Sequence, residues 1–158
     1  MAGNLALKTG TTTTITSSGG STTTGTATSA GTIDIRSGGT ANLVEMIEAY
    51  FELTCQWGTT TGITAGTVIA DLYLVPAIDG TNYATVDTTS GSSYISSNFR
   101  LGSFVSPKAL STSTDYKFAT PVGPLFCTIY TVYILNRSGQ TISANWTLKV
   151  LADQGQYT

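Results

Sequence analysis

From Ile47 the chain alternates strictly: Ile47, Ala49, Phe51, Leu53, Cys55 and Trp57 occupy one register, and Glu48, Tyr50, Glu52, Thr54 and Gln56 the other. A period of two sends successive side chains to opposite faces of a pleated strand, so this run predicts a half-buried strand from about Leu43. An amphipathic helix over 41–46 competes, because Glu45, Glu48 and Glu52 would then share one helical face, but six apolar positions in alternation favour the strand. The pattern returns near the C-terminus, where Ile142, Ala144, Trp146, Leu148 and Val150 alternate with Thr141, Ser143, Asn145, Thr147 and Lys149. Both runs point to strands with one face on a core.

Between them lie further strand signals. Val68, Ala70, Leu72 and Leu74 alternate with Thr67, Ile69, Asp71, Tyr73 and Val75, and Pro76 should end that strand. Asp79-Gly80 is a turn signal, since glycine supplies the positive φ of a tight turn. Tyr83 to Val86 then reads as a short returning strand, Phe99 to Val105 as another, and Tyr116 to Ala119 as a third. Phe126 to Leu135 (FCTIYTVYIL) is apolar in both registers, as expected of a strand covered on both sides. It is read as the middle of the core or as an oligomer interface through Tyr130, Val132 and Tyr133. Seven or eight short strands separated by Gly, Ser, Thr and Pro loops predict an all-β, two-sheet antiparallel sandwich, jelly-roll-like in its winding.

Composition agrees. The 158 residues suit one core, and they include 31 Thr and 16 Ser but only seven Lys or Arg and nine Asp or Glu. Branched Thr favours strands, and a surface this poor in charge must be wetted by hydroxyls and backbone. Clustered cations of the kind that neutralise phosphates are missing, which argues against a nucleic-acid partner. No run nears the ~18 apolar residues of a membrane-spanning helix, and Met1 to Gly10 lacks the pattern of a secretory signal. Histidine is absent, which removes the commonest general base and the Ser-His and Cys-His nucleophile pairs. No enzyme activity and no cofactor are expected.

The segment Thr9 to Thr32 holds Ile15 as its single large apolar side chain and cannot build a core alone. It is either a flexible arm or a segment ordered by adding strands to another surface through backbone hydrogen bonds. Residues 1–32 are therefore read as an N-terminal arm and 33–158 as the sandwich domain. Leu5, Leu7 and Ile15 would anchor the arm on a partner, while the Thr runs, Thr12 and Thr14 among them, pair as added strands. On this reading, removing residues 2–31 leaves the melting temperature unchanged, and attachment depends only weakly on salt.

Other constellations carry less. Glu48, Glu52 and Asp71 would make a carboxylate cluster if their strands were neighbours, yet solvated strand faces commonly hold such acids. Cys55 and Cys127 read as buried thiols, with a disulfide as the alternative. Trp57 and Trp146 fall in inward registers, which leaves Tyr50, Tyr73 and Tyr83 as candidates for outward contact, for example in a sugar-stacking platform. The Asn136-Arg137-Ser138 and Asn145-Trp146-Thr147 sequons are short enough to arise by chance.

The stretch Val68 to Tyr83, VIADLYLVPAIDGTNY, joins a strand to an Asp-Gly-Thr-Asn-Tyr turn; the long apolar strand FCTIYTVYIL and the turn Asn136-Arg137-Ser138-Gly139 follow. Over roughly Ile47 to Leu151 this arrangement resembles small β-sandwich structural proteins of tailed bacteriophages. The resemblance implies a virion component, most often a decoration or cement protein on the capsid exterior and sometimes a neck or tail part. It implies the major capsid protein as partner and a ring-like homo-oligomer, commonly a trimer. A carbohydrate-binding sandwich is the alternative from a different class.

Overall fold

The computed structural model describes residues 5–34, 46–122 and 129–157. Eight strands form: β1 (Leu5–Gly19), β2 (Ala27–Asp34), β3 (Met46–Cys55), β4 (Val68–Ala77), β5 (Arg100–Val105), β6 (Tyr116–Val122), β7 (Ile129–Asn136) and β8 (Trp146–Tyr157). They build two four-stranded sheets, ordered β1-β8-β3-β6 and β2-β7-β4-β5. Every neighbouring pair is antiparallel. First pairs with last, second with seventh, third with sixth and fourth with fifth, so the chain is one long hairpin wound over itself. That winding is a jelly roll.

The alternation read in the sequence sets the core. Phe51, Leu53, Cys55 and Trp57 from the β3 run face Leu148, Val150 and Trp146 of β8 and, across the sandwich, Leu72, Leu74, Val132, Ile134 and Phe104. Each large side chain buried in this way contributes roughly 1.5–3 kcal/mol. Trp57 meets Phe118 edge to face, with centroids 6.1 Å apart and planes at 77°, a favoured aromatic geometry.

The boundary between arm and domain is corrected. Residues 5–19 pair along β8 and residues 27–34 along β7, so the Thr-rich segment supplies an edge strand to each sheet. Another surface does order it, and that surface is the chain's own sandwich. Pairing rests mainly on backbone hydrogen bonds, supplemented by Ala27, Ala30 and Ile33 in the interior and by Ile15 packed against it. A hydroxyl bond from Thr16 to the Ala30 carbonyl ties β1 to β2 across the sandwich edge. Ile15 is thus an internal contact rather than an anchor on a partner.

Three further expectations change. β4 is buried on both faces, because the excursion 78–99 folds back over its sheet and encloses a second cluster of Ala27, Tyr73, Val75, Ile95 and Leu135. Within that excursion Tyr83 to Val86 forms no strand, since Ala84 and Val86 pack onto the sheet's face instead of along its edge. β4 also runs through Pro76 to Ala77. Its pairing with β5 stops at Tyr73, so Pro76 lies where no partner on that side needs its missing N–H.

Candidate functional site

The two sheets present unlike outer faces. On β2-β7-β4-β5 the excursion covers the centre, whereas the outer face of β1-β8-β3-β6 carries an open depression of about 410 Å³. Cross-strand register assembles it: Thr12 and Tyr50 both lie opposite Leu151, and Thr14 and Glu52 both lie opposite Lys149. Ala119, opposite Glu52 on β6, is the short side chain that leaves room between its neighbours. Tyr50 is 43% exposed and presents a ring beside a carboxylate, an ammonium and a threonine hydroxyl. Glu52 also faces Lys117 at 3.7 Å, a solvated pair of small energetic weight. This arrangement suits adhesion to a surface or a polar ligand, through one aromatic contact and several adaptable polar groups.

The covered sheet has a charged rim. Asp71 on β4, its side chain 8% exposed, accepts from Arg100 Nη2 at 2.8 Å and from Ser103 Oγ at 2.6 Å. Arg137 brings its Nε to 3.7 Å from the other carboxylate oxygen. Beside them Tyr73 is buried, and burial, then the charge of Asp71, pushes its phenol above the usual range, with the two arginines pulling it back.

At one end of the sandwich the Asn136–Gln140 turn is locked. The fully buried Asn136 amide donates to the carbonyls of Thr22 and Gln140 at 2.8 and 2.7 Å, and its Oδ1 accepts from the backbone and hydroxyl of Ser138. Trp57 Nε1 donates to Ser138 Oγ, and Gln140 Nε2 to the Thr61 carbonyl. Asn136 is therefore committed to structure, and its sequon offers no accessible amide.

The β1–β2 turn is stitched to the excursion. Ala27 N donates to Ser93 Oγ and Gly91 N to Thr26 Oγ1. Gly25 takes φ +72, and a Cβ there would lie 2.6 Å from the Gly91 carbonyl oxygen, which accounts for glycine at this position. At the Asp-Gly turn Asp79 accepts from the backbone N–H groups of Thr81 and Asn82 and from the Asn82 amide. Those bonds to the charged form hold its carboxyl down at about 2.

The sequence-predicted residues divide accordingly. Thr12 and Thr14 are exposed on the open face; Leu5 and Leu7 lie on β1, with side chains outside the described residues. Tyr130 and Val132 are buried in the central core, so they hold the protomer together rather than meeting a second copy, while Tyr133 is half-buried against the second cluster. Tyr50 and Tyr83 are exposed as expected, while Tyr73 lies beneath the excursion. The carboxylate cluster does not form, because Glu52 belongs to one sheet and Asp71 to the other; the Glu48 side chain lies outside the described residues. Cys55 is a free, buried thiol whose ionisation burial pushes far up; Cys127 lies outside the described residues. Among the described residues no three His, Cys, Asp or Glu side chains gather as a metal site. Sequence reading missed Lys149 and Leu151 as partners of Tyr50, although the outward register of Lys149 was the available signal. It also missed Asp71, Arg100 and Arg137 as one group, because three separate elements bring them together. Compared with known protein families and with curated proteins, the chain matches none.

Proposed function

We propose that the chain is a structural protein of a tailed-bacteriophage virion, a capsid decoration protein that binds the outer shell and stabilises contacts between capsomers. The observation that carries this reading is that both turns of the resemblance do structural work in a jelly roll. Asp79-Gly80-Thr81-Asn82 opens the excursion that covers one sheet, and Asn136-Arg137-Ser138 clamps one end. Jelly rolls serve viral shells and lectins alike, so fold supplies analogy and the turns supply the preference.

In this reading the partner is the major capsid protein, and the open β1-β8-β3-β6 face replaces an arm as the contact, with Thr12, Thr14 and Tyr50 toward the shell. The protein is made in the bacterial cytoplasm and acts on the capsid exterior as a homo-oligomer, a trimer by the resemblance. A ligand that binds only the assembled shell stabilises that state by mass action. Counting copies per purified particle by quantitative mass spectrometry against the major capsid protein tests this, because closed symmetry fixes the number. Hundreds of copies support decoration, about a dozen or fewer assign the chain to a neck or tail, and none removes the virion reading.

The depression beside Tyr50 favours a second reading, a carbohydrate-binding module. An aromatic ring flanked by a carboxylate, an ammonium and hydroxyls is the kind of surface a sugar uses, and a glycan array with a Tyr50→Ala control decides it.

A further inference from the structure

Arg137 stands in a turn that is fixed on both sides. Its own N–H donates to the Ile69 carbonyl at 2.9 Å, and its neighbours Asn136 and Ser138 are both buried and fully engaged. Its side chain is nevertheless 56% exposed. The one carboxylate paired with it among the described residues is already used, since Asp71 binds Arg100 and Ser103 at hydrogen-bond distance on one oxygen, and Arg100 also donates to Ser103. At 3.7 Å from the other oxygen, Arg137 is close enough for Coulomb attraction and too far for a hydrogen bond. Two guanidinium charges thus share one carboxylate, leaving a local excess of +1 on a chain whose net charge is -2. The five N–H donors of Arg137 make no hydrogen bond with a described residue.

Tyr94, 70% exposed, acts together with Asp71, Arg100 and Arg137 on the phenol of Tyr73. Exposed Arg and Tyr are the residue types that dominate binding hot spots. A guanidinium fork presents paired donors that match a carboxylate in two parallel bonds. Because the backbone of the turn is already ordered, less conformational freedom is lost when a ligand is met.

We propose that Arg137, supported by Arg100, is a docking point for a carboxylate side chain on a partner protein surface. This goes beyond the proposed function, because Arg137 lies with Asp71 on the rim of the β2-β7-β4-β5 sheet, whereas the open β1-β8-β3-β6 face is the one turned toward the shell. The binding test does not depend on that reading, so the two can fail separately.

The test uses the full chain, isotopically labelled, titrated with an acetylated and amidated triglutamate peptide and observed by NMR. Triglutamine and inorganic phosphate serve as the comparison probes. Triglutamate should shift the Arg137 Nε–H and the backbone of Arg137 saturably, and triglutamine should not. Arg137→Gln should weaken the response at least tenfold with the rest of the spectrum preserved, while Arg137→Lys retains part of it. Raising salt from 50 to 500 mM should weaken it several-fold. No saturable shift at Arg137, or an equal response in Arg137→Gln, overturns the proposal. A tighter response to phosphate than to triglutamate also overturns it, because the ligand would then be a phosphate group. Should Arg137→Gln disturb the fold, the wild-type comparison of triglutamate with triglutamine still decides.

Discussion

Asn136, at the end of β7, donates its amide to the main-chain carbonyl of Thr22, in the turn between β1 and β2, at 2.8 Å, and both residues are buried. One side chain so joins the second sheet to the turn that links the two edge strands. Backbone bonds between Thr22 and Ile142 in both directions complete the junction.

Replacing Asn136 by Ala should remove four hydrogen bonds and leave the buried Ser138 N–H without its acceptor. Orphaned buried polar groups cost about 1–3 kcal/mol each, so a loss of about 3 kcal/mol is expected. In a domain of this size that is a fall of roughly 10 °C in melting temperature. Thermal unfolding by circular dichroism measures it, with Thr141→Ala, at an exposed loop position, as the control.

Removing residues 2–31 should abolish cooperative unfolding. The deletion strips β8 and β7 of their outer partners and takes away the Gly20 carbonyl that receives Trp146 Nε1 at 2.7 Å. Loss of amide dispersion in the NMR spectrum would establish the effect; an unchanged melting temperature would restore the arm reading.

Cys55 should resist thiol reagents in the native protein. Burial, with the charge of Asp115 adding to it, raises its ionisation far above neutral pH, and the thiolate is the reactive form. In a Cys127→Ser variant, labelling by a disulfide reagent at pH 8 should proceed only as fast as the protein unfolds, and denaturant should accelerate it by orders of magnitude.

Asp79 supplies part of the pH dependence, alongside Asp87, whose carboxyl the Thr89 hydroxyl and N–H hold down. The folded Asp79 carboxyl ionises at about 2 against an ordinary 3.8, so the stability it confers is present above pH 4 and is lost as pH falls toward 2. Asp79→Ala should partly flatten the melting-temperature profile between pH 4 and 2 while leaving its shape near neutrality unchanged.

The strands that carry the core were legible because their side chains announce them: Ala49, Phe51, Leu53, Cys55 and Trp57 are buried in the register read from sequence. β1 and β2 were not, for a physical reason. Edge strands are held chiefly by main-chain bonds, which leave no apolar period, and a bulge between Ser29 and Gly31 shifts the register of β2. Its buried positions Ala27, Ala30 and Ile33 consequently fall three apart instead of two. The double burial of β4 was hidden as well, since the excursion covering Tyr73 and Val75 reads as a polar loop. For the surface, the exposure of Tyr50 followed from its register, but the meeting of Asp71 with Arg100 and Arg137 depends on how distant strands are laid side by side.

The nested pairing also governs the order of events during synthesis. Of the described strands β1 emerges first and its partner β8 emerges last, so β1 waits through translation of the six strands between them. Non-local closure of this kind is slow, and a hydrophobic segment left waiting invites aggregation. A run of threonine, serine and glycine is safe to leave unpaired for that long, yet ready to take up an extended conformation when β8 arrives. The poverty of apolar side chains in the first thirty residues is thus a kinetic asset, suited to a strand that must be the last to find its place.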